Sequence, residues 1–177
     1  MLRYKNELIR AMKWLGEKDD TLFLGQATLF SGHSISSTLT DIPKDKLIEL
    51  PVIEEVQMGM CAGISLEGYV PICVYPRFNF MILALNQLVN HIDKMKKMTK
   101  GMLIPKVIIR VAIGSKKPLD GGLQHTQDFT EAIKRMITDT VLVELKNPEQ
   151  IYPEFIKAYE RNSSSIMVEW GDFYNEK

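Results

Sequence analysis

The chain has 177 residues, 45% of them apolar and 25% charged, and its 22 basic and 22 acidic residues cancel. That length allows one domain with a single core and excludes two full enzyme domains, so an active site shared between domains needs a second polypeptide. The balanced charge gives no electrostatic footprint for nucleic acid or an anionic membrane, and no run of about 18 apolar residues supports a signal segment or a membrane span, so the expected location is cytoplasmic.

Along the chain, helical and strand-like patterns alternate. Leu8, Ile9, Met12 and Leu15 fall on one face of an opening helix, and 21–25 then reads as a short buried strand. After a polar loop come a strand over 47–50, a helix over 54–67 and a strand over 69–75 that ends at Pro76. A long helix is predicted from Phe80 to about Met98. Its apolar stripe of Met81, Leu85, Leu88, Ile92 and Met95 is widened by Ile82, Leu83 and Val89, as in a helix that is central or at an interface. The β-branched run at 106–112 reads as a strand buried on both faces. Helix, strand, helix and strand follow over 127–136, 140–145, 148–161 and 165–170. Strands separated by helices throughout give an α/β fold of three layers, a mostly parallel sheet with helices on both faces. No repeat or linker divides it, so 1–177 is expected to be one domain. Cys61 and Cys73 lie in apolar segments with no further thiol at metal spacing, and are expected as reduced core residues.

Chemistry concentrates between Glu49 and Phe80. Pro51-Val52-Ile53-Glu54 closes a strand and opens a helix, which puts the Glu54 carboxylate at the carboxyl edge of the sheet, where open α/β folds bind ligands. Gly59, Ala62 and Gly63 cluster small residues inside that helix, and because each helical glycine costs about 1 kcal/mol relative to alanine, close approach of another backbone is expected in compensation. A lone helix-start carboxylate is otherwise explained by the macrodipole.

Taken together, Pro51 to Glu54, Gly59 and Gly63, Gly68 with Pro71, and Phe78-Asn79-Phe80 leading to Gln87 and Asn90 resemble, in order and spacing, the pyrimidine-binding domain of transketolase-like thiamine diphosphate enzymes. The likeness is in particular to the β subunits of the pyruvate and branched-chain 2-oxo acid dehydrogenase first components. Asp120-Gly121-Gly122-Leu123-Gln124-His125-Thr126-Gln127 resembles their glycine-rich loop ending in Gln-His-Ser-Gln, and the similarity spans roughly residues 21 to 145.

The resemblance implies the thiamin diphosphate-binding fold in its pyrimidine module. It also implies that Glu54, rather than Glu55, meets the cofactor's pyrimidine nitrogen, that Phe80 packs on the ring, and that Val52 and Tyr75 line the same slot. His125 becomes a catalytic candidate facing substrate, with Gln26, His33 and Gln124 as possible substrate contacts. Gly25-Gln26 stands where the family has Gly-Glu, and the loop of Gly32, His33 and Ser34 departs from the family's acidic version.

The Gly-Asp-Gly motif that holds Mg²⁺ in this family does not occur, and no metal ligand is assigned. Gly114-Ser115-Lys116-Lys117-Pro118 reads as a turn rather than a phosphate loop. A separate subunit is therefore expected to hold the diphosphate and Mg²⁺, in an α2β2-like assembly, with no C-terminal transketolase domain in this chain. The implied activity is that of a transferase or lyase acting on a sugar or small oxo acid, by ketol transfer or 2-oxo acid decarboxylation. A non-catalytic scaffolding subunit is the competing reading, and a flavodoxin-like small-ligand binder is a third.

Overall fold

The computed structural model describes residues 3–30, 33–117 and 119–175, so Gly32 of the His33 loop and Pro118 of the 114–118 turn lie outside the described residues. Helix α1 (Tyr4–Gly16) is followed by β1 (Thr21–Gly25), β2 (Leu47–Glu49), α2 (Glu54–Leu66) and β3 (Val70–Tyr75). Next come α3 (Phe78–Met81), α4 (Asp93–Met98), β4 (Ile108–Ile113), α5 (Thr130–Met136), β5 (Val141–Leu145), α6 (Pro148–Glu160) and β6 (Ser165–Trp170).

All five strand pairings are parallel, and the order across the sheet is β2-β1-β3-β4-β6-β5. Side-chain alternation sends Ile72 and Val74 of β3 to one face and Cys73 and Tyr75 to the other. On the first face they meet Leu8, Met12 and Leu15 of α1 with Ile151 and Phe155 of α6. On the second they meet Met58 and Cys61 of α2 together with Phe78, Met81, Leu88 and Ile133. The fold is therefore the three-layer α/β arrangement that the alternation implied. Both cysteines are buried and reduced. Among the described residues, no helix is long and apolar enough to cross a membrane.

The single helix expected over 80–98 is instead broken. After α3 the chain tightens into a 3₁₀ turn at Ile82–Ala84, then relaxes into a π-helical segment at Gln87–Ile92 before α4. A 3₁₀ turn has fewer residues per turn than an α-helix and a π turn has more, so the two deviations offset. Met81, Leu88 and Ile92 consequently stay buried, while Leu83 is 64% exposed.

β1 and β2 run towards one margin of the sheet and β3 lies on the other side of β1. The carboxyl ends of β1 and β3, Gly25 and Tyr75, therefore flank the point where the winding reverses, which in open parallel sheets is a ligand crevice.

Candidate functional site

Glu54 is the first residue of α2, entered from Ile53 in a non-helical conformation. It is only 4% exposed, and its Oε1 has no hydrogen-bond partner among the described residues. Its main-chain carbonyl accepts a 2.8 Å bond from the hydroxyl of Tyr75, which is fully buried. Burial, reinforced by the nearby Cys73 thiol, pushes the Tyr75 hydroxyl far above the usual phenol range and keeps it a donor.

One turn along α2, Gln57 donates from Nε2 to the Val74 carbonyl at 3.0 Å and approaches Cys73 Sγ at 3.3 Å. The opposite amide orientation would set two oxygens together, so Oε1 is the free end, and it has no partner. Gln57 comes this close because residue 25 is glycine: a Cβ there would lie 2.2 Å from Val74 O and 2.9 Å from Gln57 Nε2. Gln26, nearly buried, sends its main-chain N–H to the same Val74 carbonyl at 3.4 Å and leaves its own Nε2 unpartnered. Two acceptor atoms and one donor, each buried and unsatisfied, thus belong to residues at the β1–β3 crevice. Such atoms cost about 1–3 kcal/mol each when nothing meets them.

Two of the other predicted residues, Phe80 and His125, meet each other. Phe80 is half-buried, and its ring meets that of His125 edge-on, with centroids 5.7 Å apart. His125 Nδ1 lies 3.1 Å from the Gly121 carbonyl. A carbonyl only accepts, so this contact assigns the proton to Nδ1 and leaves Nε2 as the free nitrogen. Val52, just ahead of α2, is 71% exposed, and Gln124 is exposed on its loop. Glu55 is exposed as well, and its Oε1 accepts bonds from Asn86 at 3.2 Å and Gln87 at 3.4 Å.

His33 lies beside Arg77. Its Nδ1 accepts the Ile35 N–H at 3.3 Å, and burial, then the Arg77 charge, lower its pKa to about 4, so near neutral pH the ring is uncharged with its proton on Nε2. It lines two cavities. One, of about 200 Å³, is also lined by Ser34, Arg77, Ala112, Ser115 and Tyr174. The other, of about 500 Å³, is lined by Thr28, Leu29, Leu39, Ile42 and Lys44 among others. Glu54 lines neither.

Sequence reasoning missed three residues that shape this edge. Gln57 reads as an unremarked polar position in a helix of small and apolar residues. Arg77 donates from Nη1 to the carbonyls of Gly114 at 2.9 Å and His125 at 3.1 Å. Glu49, at the end of β2, accepts the N–H groups of Ala27, Thr28 and Leu29 at 2.7–2.8 Å and the Thr28 hydroxyl at 2.9 Å. Burial pushes the Glu49 carboxyl up, but these donors outweigh it and hold the group below the usual range. It fixes the turn after β1, where Ala27 has φ +57°. No pattern of residue types announces bonds made to main-chain atoms. Among the described residues, no group of three or more His, Cys, Asp or Glu is placed to hold a metal ion.

No family model matches the sequence. The chain is 28% identical over 130 residues to the β subunit of the mitochondrial pyruvate dehydrogenase E1 component of Caenorhabditis elegans, covering 71% of this chain and 36% of that protein. The Saccharomyces cerevisiae counterpart is 28% identical over 119 residues, 66% of this chain and 32% of that one. The 3-methyl-2-oxobutanoate dehydrogenase β subunit of Mycobacterium tuberculosis is 29% identical over 91 residues, 50% of this chain and 24% of its own length. The chain thus spans about a third of the length of the first two curated relatives it matches. Among solved structures, a split-gene transketolase described as an inactive β4 tetramer superposes with a TM-score of 0.73 at 17% identity, over 96% of this chain and 52% of that one. That likeness bears on the fold alone.

Proposed function

We propose, from the kinship of this chain with the β subunits of 2-oxo acid dehydrogenase E1 components and from its transketolase-like fold, that it holds the aminopyrimidine half of thiamine diphosphate in a two-subunit enzyme. The observation that carries this reading is the buried, unpartnered Glu54 Oε1 beside the β1–β3 crevice. A carboxylate oxygen kept from water and from protein donors suits a ring nitrogen with which it can share a proton. The donor set therefore fits the group.

Within the proposed site, Glu54 would hold that proton, with Tyr75 fixing the main chain beneath it. Phe80 and Val52 would bound the pyrimidine, and the exposure of Val52 suits a wall completed by ligand or partner. When bound, thiamine diphosphate supplies an electron sink for making or breaking a carbon–carbon bond next to a carbonyl. His125, with Nδ1 committed to Gly121, would take or return a proton at Nε2 on the substrate side. Gln26, His33 and Gln124 remain our candidates for substrate contacts. We assign Mg²⁺ and the diphosphate to a separate subunit, since Gly-Asp-Gly is not among these 177 residues, and a sugar or small oxo acid to the reaction, as ketol transfer or decarboxylation.

The test is calorimetric titration of thiamine diphosphate with Mg²⁺ into the chain purified together with the subunit it brings down from its own cells. Binding and turnover are expected, with Glu54→Gln lowering turnover by roughly 10² to 10⁴ at an intact melting temperature. No cofactor binding by the complex, or full turnover in Glu54→Gln, would leave a scaffolding subunit as the better reading.

A further inference from the structure

Between the end of β4 and the start of α5, none of the described residues, 114–117 and 119–129, is in a strand or helix. Most hydrogen bonds within the His125 part of this loop are local: His125 N–H to Gly122 O, Gly122 N–H to Asp120 Oδ1, and the Thr126 hydroxyl to Gly122 O. The start of the loop is held by Asp172, whose Oδ1 accepts the N–H groups of Lys116 and Lys117, whereas three residues just after β3 fasten the His125 part. Arg77 grips the His125 carbonyl, Asn79 Nδ2 donates to Gln127 Oε1 at 2.8 Å, and Phe80 meets the His125 ring.

Arg77 is the strongest of these ties. A guanidinium Nη1 carries two hydrogens, and here one goes to Gly114 O and the other to His125 O, so a single nitrogen joins the end of β4 to the loop. Among the described residues Arg77 has no carboxylate partner, so its charge is free to strengthen both bonds. The loop is shaped to receive it: a Cβ on Gly121 would lie 2.8 Å from Arg77 Nη1 and 3.0 Å from His125 Cβ. A planar fork of fixed geometry meets two carbonyls in a way that a flexible lysine does only in part.

We infer that Arg77 is a positioning residue: by clamping the main chain of His125 against the residue that follows β4, it holds the imidazole edge-on to the Phe80 ring. That His125 serves a reaction rests on the function proposed above. The clamp itself does not, and it is tested without any cofactor.

The experiment is NMR on the 177-residue chain, reading amide hydrogen exchange over residues 121–127 and the ring-proton chemical shifts of His125, which sense the Phe80 ring 5.7 Å away. Arg77→Gln is expected to speed exchange in that segment about tenfold and to move the His125 ring-proton shifts towards those of a ring free of Phe80, while β1, β3 and β4 keep wild-type protection. Arg77→Lys should recover part of both. Gly121→Ala, which keeps the charge but crowds the guanidinium, should reproduce the Arg77→Gln pattern and serves if that variant does not fold. Wild-type exchange and His125 ring-proton shifts in Gly121→Ala, or in Arg77→Gln, would overturn the inference, as would loss of protection spread evenly over the whole sheet. Because no cofactor is present, failure of thiamine diphosphate binding leaves this result unaffected.

Discussion

The hydroxyl of Tyr75, at the last position of β3, donates a 2.8 Å hydrogen bond to the main-chain carbonyl of Glu54, the first residue of α2. Strand end and helix start are thereby fixed to each other at the level where the Glu54 carboxyl leaves the backbone. Tyr75 therefore acts as a strut beneath the slot. Tyr75→Phe removes the donor and leaves the helical bond of the carbonyl in place, so it should cost about 1 kcal/mol in urea unfolding. If the proposed site is correct, cofactor affinity in the assembled enzyme falls by more than that loss accounts for. Unchanged stability and affinity would contradict the strut.

The buried pair in the sheet should behave differently. Arg110 Nε and Nη2 donate to Glu169 at 2.6 and 2.9 Å, Nη2 also reaches the Thr38 hydroxyl at 3.0 Å, and Tyr174 donates to the same carboxylate. Neither charged residue is exposed. Glu169→Gln strands a buried guanidinium and is expected to cost about 3–5 kcal/mol by chemical denaturation, whereas Arg110→Met with Glu169→Leu should cost much less than the two single changes together. Additive losses would show that the two charges do not depend on each other.

Glu49→Gln tests the turn after β1. An amide keeps one acceptor oxygen where the carboxylate serves three N–H groups and a hydroxyl. A loss of about 1–2 kcal/mol is expected, with faster hydrogen exchange at Ala27, Thr28 and Leu29. Exchange that stays slow at all three would refute the role.

Stability should fall in acid in two stages. His33 releases its proton at about 4 in the folded state, because burial and then Arg77 disfavour its charge, against about 6.5 unfolded. The unfolded chain thus binds more protons below about pH 6.5, and the His33 contribution, full above that value, is lost as pH drops towards 4. Asp93 follows at lower pH. Burial pushes its carboxyl up, but the Lys94 ammonium and the N–H groups of Thr140, Asp139 and Thr138 prevail and hold it well below the ordinary value of about 3.9. Its contribution is present above that ordinary value and disappears beneath it. His33→Asn should flatten the first stage and Asp93→Asn the second, in urea titrations across pH. A wild-type curve that is level from pH 7 to about pH 4.5 would contradict the His33 assignment.

Much of the architecture was legible in the residues. Runs such as Thr21–Gly25 and Ser165–Trp170 are apolar, short and bounded by turn residues, so their limits coincide with the strands found. The break between Met81 and Asp93 was not legible, since apolar spacing reports only the average winding, and a 3₁₀ turn followed by a π turn averages out. At the site, the place of Glu54 at a helix start follows from the sequence pattern, whereas the meeting of the Phe80 and His125 rings is announced by neither motif. The roles of Glu49, Gln57 and Arg77 are not announced either, because each acts on backbone atoms of a distant segment, and backbone atoms are the same under every sequence.

At one margin of the sheet β2 contributes only three residues, and at the other β5 carries Glu144, held by Lys134 at 2.8 Å and Lys146 at 2.6 Å. Short or charged margins do not template another strand. The sheet is thus protected against growing edge to edge into fibrils, although apolar side chains such as Val52, Val56 and Met60 stand exposed elsewhere on the molecule.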